Sequence, residues 1–378
     1  MRQYQQFLKN DSQKERNMIN FTIGPVQIDP ETQRIGAEQI PYFRTPEFSS
    51  LMIENEKFLC HLFDAPNNSR AIFLTGSGTA SMEGGVMNLF THADKVLVVN
   101  GGSFGQRLVE LCQIHEIPFT EIHLDYGQPL THDYLKPFEK QHYTGMLLQL
   151  CETSTGILYD MQMVGDFCVR NNIFLFVDAV SGFLADSFSM KKMHVNAAIT
   201  GSQKALSLPP SMSFTVLDAQ AQKRCENNKV RSMYFNYADY LRNGERGQTP
   251  FTPAVTTLIQ LNERLKRIVK DGGTQYINNI IKQRAEYFRK GIKNLPFSVF
   301  APIKASSNCV TALSPTNTNV SAYKIFEIIK DEYGIWVCPN GGKLKDKVFR
   351  VGHIGSITKK DLDELIGALT DLQQRNLL

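Results

Sequence analysis

The sequence predicts an α/β fold, with a mostly parallel central sheet in a large domain and a smaller C-terminal α+β domain. Three observations predict it. Short runs dense in Val, Ile, Leu and Phe alternate with helical stretches between residues 95 and 201. After Pro296 the pattern shifts to short strands separated by helices. The length of 378 residues exceeds one small module and suits two domains.

The runs 95–101, 145–150, 173–179 and 197–201 are each bounded by Gly, Asn, Asp or Thr. Such apolar runs read as strands buried on both faces. Residues 103–116 and 159–172 read as helices between them. Strands that alternate with helices imply a parallel sheet covered on both sides. The run 211–217 follows two prolines and alternates more, as an added edge or antiparallel strand would. Residues 219–250 are polar without a clear period, and 253–270 and 274–294 read as long helices. Beyond them lie strand-like SVFA (298–301), CVTAL (309–313), IWVC (335–338) and KVFRVG (347–352), with helices at 320–331 and 358–374. The domain expectation is a polar arm over 1–20, a large domain over 21–262 and a small domain over 263–378.

Composition excludes several classes. Hydrophobic residues make up 42% and charged residues 21%, which excludes a disordered chain. With 41 basic against 37 acidic residues the net charge is +4, too mild for a nucleic-acid binder. Seven cysteines (60, 112, 151, 168, 225, 309 and 338) form no CxxC pair, which argues against a disulfide framework and for a reducing compartment. The N-terminus lacks an apolar signal core, and no apolar run reaches membrane-spanning length. The expectation is a cytoplasmic protein without membrane or nucleic-acid partners.

Two residues carry most of the chemistry. Asp178 ends a buried strand, and Lys204 lies just past the next one. The separation of 26 positions leaves room for a crossover and a return strand. Ligands of open parallel sheets sit beyond the carboxyl ends of the strands, so acid and amine would share one crevice. A desolvated amine is a nucleophile that forms a Schiff base with an aldehyde. A buried carboxylate needs a cationic partner, and a protonated pyridine nitrogen would serve. Pyridoxal phosphate offers both aldehyde and pyridine. On spacing alone, a plain Asp–Lys ion pair is the simpler reading.

TGSGTASMEGG (75–85) follows an apolar run and opens a helix, where backbone N–H groups can approach a phosphate. It is nearly GxGxxG, but the following strand ends in Asn100 and not in the acid that a dinucleotide ribose needs. Phe104 follows a strand end and could cover a flat ring, although a core aromatic is commoner. Arg350 sits inside an apolar strand, where its fork suits a carboxylate ligand or an internal salt bridge. His123, Asp125, His132 and Asp133 lie close together without metal-site spacing, so a solvated strand edge is expected.

Eight segments in order, FTIGPVQIDPE, FRTPEF, TGSGTASME, NGGSFGQR, ETSTGIL, VDAVSG, GSQKAL and FRVGHIG, resemble the class V aminotransferases of fold type I. The alanine–glyoxylate and serine–pyruvate type is nearest, with 2-aminoethylphosphonate–pyruvate transaminases as cousins. The resemblance covers roughly residues 20 to 375. It implies a pyridoxal 5'-phosphate enzyme that moves an amino group from a small donor to a small 2-oxo acid, working as a homodimer. By the same resemblance Lys204 binds the cofactor covalently and shuttles the proton, while Asp178 partners the pyridinium. Phe104 stacks on the ring and Val180 packs on its other face. Ser77, Gly78, Thr79 and Gln203 hold the phosphate, and Thr153 lies near the ring oxygen. Thr252 reaches the phosphate of the neighbouring subunit, and Arg350 grips the substrate α-carboxylate. Two departures concern substrate detail: Phe43-Arg44 replaces a common His-Arg, and Thr249 replaces a tyrosine found in some members. Desulfurases of the same class carry a reactive loop cysteine, whereas Cys309 and Cys338 lie in strand-like runs and read as structural thiols.

Overall fold

A computed structural model describes residues 18–378, so most of the expected arm lies outside the described residues. Seven strands form the main sheet: β1 (Arg70–Thr75), β2 (Val96–Asn100), β3 (Phe119–His123), β4 (Gly145–Gln149), β5 (Phe174–Asp178), β6 (Ala197–Gly201) and β7 (Met212–Leu217). Their spatial order is β1-β7-β6-β5-β4-β2-β3. The run from β6 to β3 is parallel, as the alternating pattern predicts. Strand β7 is antiparallel to both neighbours and stands inside the sheet, with β1 outside it. The 211–217 segment is therefore antiparallel but not an edge. All six of its residues are buried, as an interior strand requires.

Period-two alternation sends neighbouring side chains of each strand into different cores. Leu97, Val99, Met146, Leu148, Leu175 and Val177 join one cluster; Val96, Val98, Leu147, Phe174 and Phe176 join the other. Each fully buried side chain of this size contributes about 1.5–3 kcal/mol. The helix Gly78–Leu89 places Met82 and Val86 on the second cluster, and Ser103–Ile114 adds Leu108 and Cys112. Met161–Asn171 covers the opposite face through Val164 and Phe167. Asp160 caps it by accepting from the Met163 N–H at 3.0 Å, and Asn172 ends it in the left-handed conformation.

The C-terminal region holds a four-stranded antiparallel sheet in the order β8 (Phe297–Val299), β9 (Val310–Pro315), β11 (Phe349–Gly352) and β10 (Cys338–Pro339). The expected IWVC strand is split: Ile335–Trp336 pairs in parallel with Ile19–Asn20 near the N-terminus, and Cys338 turns into the sheet. Phe21, Phe288, Ile325, Phe349 and Leu365 build a third core there. The expected boundary at 262/263 lies inside one continuous helix, Val255–Lys270, whose Leu258, Leu265 and Ile268 all enter the first core. Residues 219–250, aperiodic by sequence, contain two short helices, Ala219–Asn227 and Tyr237–Gly244. Among the described residues no helix is long and apolar enough to cross a membrane.

Candidate active site

Strands β4, β5 and β6 end side by side, and their carboxyl ends form the floor of the site. Asp178, the last residue of β5, is buried and accepts one hydrogen bond, 2.9 Å from the Val180 N–H. Burial raises its pKa to about 6; Glu152 nearby adds to the rise and Lys204 opposes it. Lys204 stands on the turn after β6, where its carbonyl accepts from the Ser207 N–H at 2.8 Å, and its amine makes no hydrogen bond or ion pair among the described residues. Burial lowers its pKa, which favours the neutral, nucleophilic amine. The simple Asp178–Lys204 ion pair is thus absent, and both groups remain available. Gly24, at φ +154°, lets the lysine lie flat: a Cβ there would sit 2.9 Å from its Cδ and 3.1 Å from Nζ.

Two helix N-termini flank this floor. Gly78–Leu89 starts after β1 with Ser77 at its N-cap, and the Ser77 hydroxyl makes no capping bond. The N-terminal N–H groups of a helix carry partial positive charge and favour an anion. Gly78 lies against Val180, where a Cβ would come 2.9 Å from Cγ2, so the turn can sit this close only as glycine. Thr79 is tied to the second helix: its Oγ1 accepts from Arg107 Nη1 at 3.0 Å. The Arg107 guanidinium also stands 5.1 Å from the centre of the half-buried Phe104 ring.

The second helix, Ser103–Ile114, carries Phe104 in its first turn and is capped from far away in sequence. The Glu152 carboxylate, fully buried, accepts from the N–H groups of Phe104 (3.2 Å), Gly105 (3.0 Å) and Ser154 (3.1 Å), and from the Ser154 hydroxyl. Sequence reasoning missed Glu152 and Arg107. Both sit inside segments read for other residues, and only the fold shows the Glu152 contact across 47 positions.

Thr153 follows Glu152 and hydrogen-bonds the Ser181 hydroxyl. Arg350 on β11 donates from Nη2 to the Pro339 carbonyl at 2.7 Å and from Nη1 to the Thr153 carbonyl at 3.4 Å. It forms no ion pair among the described residues, and its buried Nε has no partner, so the internal salt bridge is excluded. Gln203 Oε1 and both amide atoms of Gln149, which pairs with Asp178 across β4 and β5, are likewise buried without partners. Unpartnered polar atoms gathered around one floor are costly unless a ligand satisfies them.

The remaining expected residue, Thr252, is exposed. Its segment adjoins the first helix turn, because the Ala254 N–H donates to Thr75 Oγ1 at 3.1 Å. The two departures meet here: Arg44 Nη1 donates to the Thr249 carbonyl at 3.2 Å. His123 is exposed beside Glu121 at 3.1 Å, and no group of metal-ligating side chains occurs among the described residues. Cys309 is buried, 3.7 Å from the sulfur of buried Cys151.

Residues 43–343 match the aminotransferase class-V family. The chain belongs to that family. It is 27% identical over 352 residues to the soluble hydrogenase 42 kDa subunit of Anabaena cylindrica, covering 92% of this chain and 90% of that one. It is also 27% identical to the 2-aminoethylphosphonate–pyruvate transaminase of Pseudomonas aeruginosa, over 95% and 96% of the two chains. The crystal structure of an alanine–glyoxylate aminotransferase from Nostoc sp. superposes with a TM-score of 0.88 at 23% identity, over 94% and 95%. The fold is that of the fold type I transferases, and the protein is a pyridoxal phosphate-dependent aminotransferase. The residues present fit that cofactor: a buried acid and an unbonded buried amine at adjacent strand ends, and a helix N-terminus without a side-chain cap among the described residues.

Proposed function

We propose that this aminotransferase moves an amino group from a small donor such as alanine or serine to glyoxylate or pyruvate by a ping-pong sequence. The observation that carries the reading is Arg350, half-buried near Lys204, its buried Nε unpartnered and its guanidinium without an ion pair among the described residues. A guanidinium fork held by two carbonyls is preset for the α-carboxylate that all these substrates share. When bound, pyridoxal phosphate supplies a carbonyl that takes up the amino group and a ring that withdraws electrons from the substrate Cα. Asp178 would hold the ring nitrogen protonated, with Phe104 and Val180 on its two faces. Ser77, Gly78, Thr79 and Gln203 would hold the phosphate, and Thr153 would lie near the ring oxygen. Lys204, neutral through burial, would take the proton from the substrate Cα and deliver it to the cofactor carbon bonded to the same nitrogen. Departure of the first oxo acid before entry of the second keeps one carboxylate on Arg350 at a time.

A homodimer fits the exposed apolar strip around Thr252. Ile40 is 57% exposed, Tyr42 70% and Met233 80%. Arg44 joins residues 40–44 to Thr249, and Tyr234 stacks on Phe251 at 5.3 Å. A second subunit placed there would cover the strip and bring Thr252 to its phosphate seat.

A panel of donors against acceptors, read by product oxo acid, tests the substrate assignment. Activity with alanine or serine and glyoxylate or pyruvate supports it. Exclusive use of 2-aminoethylphosphonate, which lacks an α-carboxylate, overturns it in favour of the phosphonate reading. Lys204→Ala should abolish turnover in every pair, and near-normal rates would refute its role. Arg350→Ala should raise KM for carboxylate substrates about 10- to 100-fold, with a smaller change in kcat.

A further inference from the structure

Behind the lysine lies a second cavity, of about 220 Å³, lined by Ala205, Ser207, Arg264, Arg284 and Gly355 among others. It collects cations that the fold leaves unpaired. Arg264 donates from Nε to the Leu206 carbonyl at 3.2 Å, and its two terminal nitrogens meet no acceptor among the described residues. Arg284 donates from Nη1 to the carbonyls of Gly355 (2.9 Å) and His353 (3.3 Å), and its Nε and Nη2 have no acceptor among the described residues. Neither forms an ion pair among the described residues. Of the two acids at the wall, Asp29 is committed to Arg267 at 3.1 Å, and Asp271 is exposed at the end of its helix. Burial works against the charge on both Arg264 and Arg284. Asp271 acts on Arg264 and Asp361 on Arg284 only through space, and half-buried guanidinium groups facing one cavity without a direct ion pair are costly, a cost that an anion between them lowers.

We propose that this cavity binds a small tetrahedral dianion, inorganic phosphate or a phosphate monoester, between Arg264 and Arg284. Two guanidinium groups approaching from different helices balance two charges, which one carboxylate cannot do. The site is distinct from the seat at Ser77–Thr79, none of whose residues lines this cavity. It also touches the catalytic machinery from behind. Arg264 holds Leu206, two residues past Lys204, and Arg284 holds Gly355, on the loop that leaves β11 and Arg350. An anion bridging the two arginines ties those loops together, so it acts as an effector and not as a substrate.

Calorimetric titration of the cofactor-loaded enzyme tests this, because the cofactor's own phosphate then fills the first seat. Inorganic phosphate and glycerol 3-phosphate form separate arms, with acetate at matched ionic strength as control. One phosphate per chain should bind, at least 10-fold more tightly than acetate. Binding of both phosphates shows that the phosphate group suffices, and binding of glycerol 3-phosphate alone assigns the monoester. Arg264→Met and Arg284→Met should each weaken binding at least 10-fold. Arg284 clasps two carbonyls and its loss could unfold the loop, so Arg264→Met, checked by circular dichroism, decides the matter. Absence of binding, equal binding of acetate, or unchanged affinity in a folded Arg264→Met enzyme would overturn the proposal.

Discussion

The two helix N-termini of the active site begin alike and end differently. Each follows a sheet strand and a glycine-containing turn. At Ser103–Ile114 the protein supplies its own anion, Glu152, which takes up the N–H groups of Phe104 and Gly105. At Gly78–Leu89 no side chain caps the turn. The first end is a fixed structural joint that carries an aromatic ring. The second is left open, and an open helix N-terminus is a seat for an anion. Glycine-rich strand–turn–helix sequence therefore does not by itself distinguish a ligand site from a joint; what fills the end does.

Closing the open end should have the largest effect. Gly78→Val places a branched side chain into Val180 and should weaken cofactor affinity at least 100-fold, measured by absorbance titration of the cofactor-free protein. Unchanged affinity would move the phosphate seat elsewhere. Opening the closed end comes next. Glu152→Ala strands three buried N–H donors and should cost about 2–4 kcal/mol in urea unfolding. Glu152→Gln keeps an acceptor and should cost less. If the alanine variant were as stable as the parent, the far-reaching cap would be a contact without consequence.

The smallest effect is on pH dependence. In the cofactor-free chain Asp178 has its pKa raised to about 6, against 3.8 in the unfolded chain. The folded state therefore holds the extra proton between those values. Its contribution to stability is greatest below about pH 4 and is lost as pH rises through about 6. Partnership with a pyridinium needs the ionised acid, so cofactor affinity should fall as pH drops below about 6. Asp178→Asn should flatten that fall, and a fall that persists unaltered would assign it to another group.

Much of this was legible in one chain of letters. Asp178 and Lys204 could be placed at adjacent strand ends because buried parallel strands read as unbroken apolar runs with polar punctuation. The same property hid the position of β7. A strand buried on both faces carries no record of which neighbours it has, so Met212–Leu217 reads alike at an edge or in the interior. The 219–250 segment defeated periodicity because its helices have only nine and eight residues, too short to show a face.

The sequence alone determined the fold class and the order of the chemistry-bearing segments, and its resemblance to the class V aminotransferases singled out Asp178 and Lys204 for the proposed amino-transfer site. The first two rest on local signals: apolar period, glycine turns and strand-end polar residues. Tertiary structure decided which helix end stays open, that Glu152 closes the other, and that Arg350 has no acid partner of its own. Each of those is a question of which groups satisfy one another across the fold, and hydrogen-bond satisfaction in a buried site is settled by packing, not by neighbours along the chain.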